Sequence, residues 1–289
     1  MPRAKSPAYN NGMPQDCSLS RIIFWNVNNK DLTDAVCSLA NLTTADVIVL
    51  NENKVPSDRT LRELQKNVSA DFYRPHAMSE KRFHCFCRRC ELDISEVHSG
   101  ERTSTRKWRI GTHRALLSLV HGVDIRNYDG ETRQSFAQSL ASEVRFVQEQ
   151  HGTRKLVLLG DFNMNPYDRG MNLAAGLNAM MTRSCVTPGF RRHLNERYDF
   201  YYNPMWSLFG DNTDGPAGTV HDTSNQGPYG WNMLDQVVIH HSIVPLFHDV
   251  TILTEAGVQS LMDAKGRPDA ENASDHFPIL VSFCGENHE

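Results

Sequence analysis

Six short apolar runs punctuate the chain: Ile22-Ile23-Phe24-Trp25, Val47-Ile48-Val49-Leu50, Leu116-Leu117-Ser118-Leu119-Val120, Leu156-Val157-Leu158-Leu159, Val237-Val238-Ile239 and Ile279-Leu280-Val281. Runs of this length, rich in β-branched residues, fit strands buried on both faces or central strands of packed sheets. Between them the apolar spacing changes to three and four. Leu32, Val36 and Leu39 form a stripe behind Asp31, the expected N-cap, and Leu61, Leu64 and Val68 form another. Phe136, Leu140, Val144 and Val147 predict a longer helix over 131–150. Strands alternating with helices give an α+β chain, with two packed sheets and helices outside.

Two stretches read as long loops or insertions. Residues 88–113 carry many Arg and Lys with Trp108, and are expected to form an exposed hairpin. Residues 203–230 are rich in Gly, Asn, Asp and Pro, with Trp206, Phe209 and Tyr229. No linker or internal repeat divides the chain. The expectation is a loose polar arm over 1–20, a single domain over 21–284 and a tail over 285–289.

Charge changes the picture in one respect. The formal net charge is −4, so no global basic field announces a nucleic-acid partner, and such a partner would need a local basic groove. No secretory core is evident, and no apolar run approaches the roughly 20 residues that span a bilayer. With an odd count of seven cysteines, these features predict a cytoplasmic, membrane-free protein with reduced thiols. Cys85-x-Cys87-x-x-Cys90 is the one cluster with metal-like spacing, and zinc there would need His84 or His98 as fourth ligand. Phe83, Cys85 and Cys87 alternate with His84, Phe86 and Arg88, which favours small buried strand residues instead.

Candidate chemistry sits where the apolar runs stop. Gly160-Asp161-Phe162-Asn163 follows the fourth run and presents a carboxylate and a carboxamide two residues apart, on one side of an extended segment. Asn26 and Asn28 follow the first run, Glu52 the second and His121 the third. Asp235 lies in Asn232-Met233-Leu234-Asp235-Gln236, and Ser274-Asp275-His276 precedes the last run. A lone Glu, Asp or His after a strand is ordinarily a solvated or half-buried residue. Here every member holds the same position relative to its strand, so the set would converge at one sandwich edge.

In combination these motifs resemble the endonuclease/exonuclease/phosphatase superfamily, the fold of DNase I and the exonuclease III-type nucleases, over residues 21–283. The resemblance implies a four-layer α/β sandwich of two mainly antiparallel sheets flanked by helices. It implies Mg²⁺ as cofactor, with Mn²⁺ able to substitute, held chiefly by Glu52 with Asn26 beside it. Asp275 and Asn28 would complete the metal shell or a second site. Asn28 stands where repair nucleases of the family often carry an acid, which speaks against a second tightly held metal. His276 would be the general base or the phosphate-polarising histidine, oriented by Asp235. Asp161 would position or deprotonate water, Asn163 would donate to a phosphate oxygen, and His121 would protonate the leaving oxygen or bond the phosphate.

The substrate lies outside these shared residues. Asn232 to Gln236 lacks the Pro-x-Trp-x-Asp-Arg pattern of inositol-polyphosphate phosphatases. Basic residues over 81–114, with Arg109 and Arg114 among them, and a second cluster of Arg183, Arg191, Arg192 and Arg197 would contact phosphates. Trp108, Trp206, Phe209, Tyr201 and Tyr202 would stack on bases. The expectation is a DNA endonuclease, with a protein partner that recruits or activates it. The alternatives are a phosphodiesterase or phosphatase on a small or lipid-borne phosphate, an RNA-directed nuclease, and a silent scaffold.

Overall fold

The computed structural model describes residues 17–79, 81–211, 215–222 and 230–286. Two sheets form its frame. One has five strands in spatial order β11 (Phe247–Ile252), β12 (Ile279–Glu286), β1 (Cys17–Asn26), β2 (Val47–Asn51) and β3 (Phe83–Cys87). The other has seven, in the order β4 (Glu96–Ser99), β5 (Thr103–Ile110), β6 (His113–His121), β7 (Leu156–Asp161), β10 (Asp235–His240), β9 (Tyr201–Tyr202) and β8 (Ala179–Met180). Neighbours run antiparallel except β1–β2, β6–β7 and β8–β9.

The continuous apolar runs are explained by burial on both faces. Leu117, Leu119, Val157, Leu159, Val237 and Ile239 join the core that contains Ile22, Phe24, Val49 and Ile279 of the five-stranded sheet. Their alternate neighbours Leu116, Leu158 and Val238 pack instead with Leu140, Val144 and Val147 of α3 (Gly130–Gln150). Asp129 caps that helix, accepting the Thr132 N–H at 2.8 Å. α1 (Thr33–Thr43) sends Val36, Leu39 and Ala40 into the first core, and α2 (Ser57–Asn67) packs on α1. Mixed sheets covered by helices make this the DNase I-like α/β sandwich.

Several expectations change. Asp31 stands one residue before the N-cap of α1 and accepts from Thr33 N and Oγ1 at 3.3 and 2.8 Å. Residues 17–20 of the expected arm belong to β1, and 285–286 of the expected tail belong to β12; residues 1–16 lie outside the described residues. Residues 88–113 are no exposed hairpin. They carry β4 and β5 into the seven-stranded sheet, and Trp108 is buried edge-on to Phe283, 4.8 Å between ring centres. Pairing of β5 with β6 over eight positions makes that region core. Cys284 is disulfide-bonded, against the expectation of a wholly reduced chain, whereas Cys37, Cys85, Cys87, Cys90 and Cys185 are free. Cys85 and Cys87 are buried as strand residues, and no metal-like cluster among the described residues includes them. No helix among the described residues is long and apolar enough to cross a membrane.

Candidate active site

Register brings the polar strand ends to one edge. Asn26 lies opposite Asn51, the residue before Glu52, and Asp161 lies between His121 on one side and Asp235 on the other. Four side-chain contacts then cross from one sheet to the other. Asn26 Nδ2 donates to Asp161 Oδ2 at 3.2 Å, and His276 Nδ1 meets Asp235 Oδ2 at 2.9 Å. His121 Nε2 lies 3.3 Å from Glu52 Oε1, and Arg82 contacts His121 Nδ1 at 3.5 Å. Asn26 also donates to Glu52 Oε1 at 3.2 Å, so Glu52, Asn26, Asp161 and Asn163 form one network.

Turn geometry aims these groups. Asn28, Asn29, Glu52 and Asn163 all have φ between 46° and 60°, a region that non-glycine residues seldom occupy and that clusters at functional sites. Asn29 uses it to bond Glu52 twice, from its backbone N–H to the carbonyl at 2.8 Å and from Nδ2 to Oε2 at 3.1 Å. Gly160 answers a different need: a Cβ there would stand 1.9 Å from the Val120 carbonyl oxygen of the neighbouring strand. The segment before β12 is pinned on β1. Ser274 Oγ donates to the Asn26 carbonyl at 2.6 Å and accepts the His276 N–H at 3.1 Å, and Trp25 Nε1 donates to the His276 carbonyl at 2.9 Å. Thr219 Oγ1 accepts from the backbone of Leu234 and Asp235, and Asn165 Oδ1 accepts from Met233, which fixes the start of β10. Gln236 follows Asp235 and is buried, bonded to Asn203 at 2.7 Å.

Electrostatics divide the edge in two. The His121 hydrogen bond holds the Glu52 carboxyl at about 2 against the opposing effect of burial, with help from the Asn26 bond. Burial raises Asp161, against the pull of His276. Burial works against the charged form of His276, yet the charge and hydrogen bond of Asp235, with Asp161 and Asp275, lift it to about 10. The imidazolium is therefore the resting form near neutral pH.

At the catalytic edge two groupings of ligand atoms offer themselves to a metal; a third cluster, Asp199, His240 and His241, lies elsewhere. Asp161, Asp235 and His276 have ligand atoms within 4.8 Å of one another, and Asp235 Oδ1 is buried with no partner among the described residues. With His276 charged and paired to Asp235, this cluster also suits proton handling. Glu52 is ionised and partly exposed, with the Asn26 amide nitrogen donating to it, and a carboxylate oxygen of this kind fits Mg²⁺ or Mn²⁺.

The structure thus gathers Asn26, Glu52, His121, Asp161, Asn163, Asp235 and His276. Asn28 and Asp275 lie beside them without joining the network: Asn28 gives its backbone N–H to Asn26 Oδ1, and Asp275 receives only a 3.5 Å contact from Ser274. Arg109 and Arg114 are paired at the opposite end of β5 and β6, seven residues from His121, roughly 23 Å away at strand rise. Their expected phosphate contact at this edge fails on that geometry. Three arginines of the second cluster lie over aromatic rings: Arg183 covers Tyr202 and Phe247, Arg191 covers Phe200 and Arg197 covers Phe190. Tyr201 and Tyr202 are buried. Trp206 lies in the turn Pro204–Leu208 that leaves Asn203 toward the catalytic end, but no hydrogen bond or ring contact among the described residues ties it to the site. Tyr229 lies outside the described residues. Arg82 belongs to the basic 81–114 stretch expected to contact phosphates, whereas Asn29, Thr219 and Asn165 were not foreseen; an Asx residue just outside a strand end was the only signal for Asn29 and Asn165.

Known proteins share this fold. No curated protein matches the chain. Among solved structures, an endonuclease/exonuclease/phosphatase family protein from Bacteroides thetaiotaomicron is 12% identical, with a TM-score of 0.56 over 94% of this chain and 99% of its own. The 3' phosphatase NExo from Neisseria, bound to a product DNA hairpin, is 18% identical with a TM-score of 0.55, over 91% and 99%. D. rerio TDP2 complexed with a single-strand DNA product is 15% identical with a TM-score of 0.54, over 92% and 99%. A sequence model described as "Endonuclease/Exonuclease/phosphatase family" matches residues 23–276, and the chain belongs to that family.

Proposed function

We propose that the chain is a Mg²⁺-dependent phosphodiester hydrolase that cuts DNA internally. The supporting observation is the continuous side-chain network from Glu52 through Asn26 to Asp161, with the His276–Asp235 pair beside it. Glu52 would hold the ion with Asn26 next to it, and Asp275 and Asn28 are the candidates for completing its shell. Bound there, the ion neutralises charge on the phosphoryl oxygens.

The chain's own groups do the rest. Asp161, whose affinity for a proton is raised by burial, orients the attacking water and takes its proton. His276, charged and fixed through Nδ1 by Asp235, donates from its other ring nitrogen to a phosphoryl oxygen. Asn163 presents a second amide donor from the same strand end. His121 hands a proton to the leaving oxygen, and Arg82 behind it adds positive charge. In place of Arg109 and Arg114, the basic groups on this side are Arg82 and Arg102; Arg102 bonds the Gly122 carbonyl at 2.9 Å. The similar proteins solved with DNA products support the choice of DNA as substrate. The chain-wide charge of −4 leaves room for a partner that holds the DNA.

The test is incubation with supercoiled plasmid in Mg²⁺ or EDTA, beside RNA and an oligonucleotide ending in a 3' phosphate. Mg²⁺-dependent nicking is expected. Release of the terminal phosphate alone, or cleavage of RNA alone, would replace the endonuclease reading.

A further inference from the structure

Beside the catalytic edge lies a cleft of about 520 Å³. Lys81, Arg82 and Phe83 line it from the start of β3, and Glu96, Glu101 and Ser104 from β4, β5 and the turn between them. Two of these side chains are buried polar groups with unmet bonds. Glu96 is 3% exposed and Ser104 is 2% exposed. Glu96 Oε2 accepts from the backbone N–H groups of Met78 and Ser79, but its Oε1 has no partner among the described residues, and neither has Ser104 Oγ. Arg106, opposite Glu96 in register, donates to the His76 carbonyl at 3.3 Å. Buried polar groups are ordinarily satisfied, so an unmet carboxylate oxygen and hydroxyl lining one cleft mark a place for a polar ligand. Arg82 links the cleft to the site: its Nε donates to the Glu101 carbonyl at 2.6 Å while its NH1 reaches His121.

We propose that this cleft is a nucleobase subsite, taking one unpaired base with an exocyclic amino group next to the phosphate at the catalytic edge. The inference rests on the reading that the substrate is nucleic acid. Glu96 Oε1 accepts an amino N–H. Ser104 Oγ both donates and accepts, so it can meet the ring nitrogen beside the amino group in adenine or cytosine. Thymine would turn a carbonyl oxygen onto the carboxylate. A phosphate is repelled by Glu96, whereas Lys81 and Arg82 give the connecting phosphate a positive boundary.

Binding of fluorescein-labelled hexamers of dA, dC and dT to the full chain in EDTA, followed by anisotropy, tests this without catalysis. The dA and dC hexamers should bind about tenfold tighter than dT, the value of one charged hydrogen bond. Glu96→Gln should bring the three within about twofold, in part by tightening dT, whose carbonyl no longer faces a charge, whereas Ser104→Ala should weaken dA and dC by about threefold and leave dT unchanged. Ser104→Ala removes only a hydroxyl, which guards against misfolding of the Glu96 variant. Equal binding by the wild type, a preference that survives Glu96→Gln, or dA and dC affinities unchanged in Ser104→Ala, overturns the proposal. Plasmid nicking by the same preparation separates the two readings: nicking without base preference removes the subsite alone, and preference without nicking removes the hydrolase alone.

Discussion

His276 Nδ1 and Asp235 Oδ2 meet at 2.9 Å, joining the loop before β12 of one sheet to the first residue of β10 in the other. The pair lifts His276 from 6.5 to about 10. A folded-state pKa above the unfolded one stabilises fully below the unfolded value and is lost as pH rises through the folded value. In EDTA, the wild-type urea midpoint should therefore fall between pH 6.5 and pH 10, and fall less in Asp235→Asn. Parallel pH curves for the two proteins would contradict the pairing.

Glu52 is held at about 2, chiefly by His121, so it stays ionised throughout the neutral range and is ready for a cation. Glu52→Gln should raise the Mg²⁺ concentration for half-maximal activity by at least about tenfold with little change in melting temperature. An unchanged Mg²⁺ titration would move the metal elsewhere.

Arg82 touches His121, whereas Arg109 and Arg114 sit at the far end of the same hairpin. Arg82→Ala should lower kcat/KM on DNA by about tenfold and flatten its salt dependence by about one phosphate contact. The double variant Arg109→Ala, Arg114→Ala should stay within about twofold of wild type. Equal losses in both would show that DNA extends along the whole of β5 and β6.

Gly160 is required by the close approach of β6 to β7. A Cβ at 1.9 Å from the Val120 carbonyl cannot be accommodated by moving a flexible side chain, because the obstacle is backbone. Gly160→Ala should cost about 3 kcal/mol or more in urea unfolding, beyond ordinary overpacking. A cost below about 1 kcal/mol would mean that the two strands separate readily.

The strand ends were legible because each polar residue flanks an apolar run buried on both faces, which leaves few choices for its direction. That reasoning located Asp161, Asp235 and Glu52. It could not locate Asn29 or Thr219, whose roles depend on a left-handed turn and on a short bridge between Val220 and Asn232. Nor could clustering in sequence reveal that Arg109 and Arg114 sit at the far end of the hairpin from the site, because an eight-residue strand pair separates its two ends by more than the reach of any side chain. Trp108 illustrates the same limit: charged neighbours suggested a loop, yet Arg106 and Trp108 are both buried. The disulfide at Cys284 had no signal in an odd cysteine count.

The most direct measurement is hydrolysis of bis(p-nitrophenyl) phosphate, a diester without a base, by wild type, Asp161→Ala and His276→Ala at matched melting temperature with Mg²⁺ or EDTA. Hydrolysis should require Mg²⁺ and fall on the order of 10³-fold in each variant. Hydrolysis that persists in EDTA, or in either variant, would contradict this.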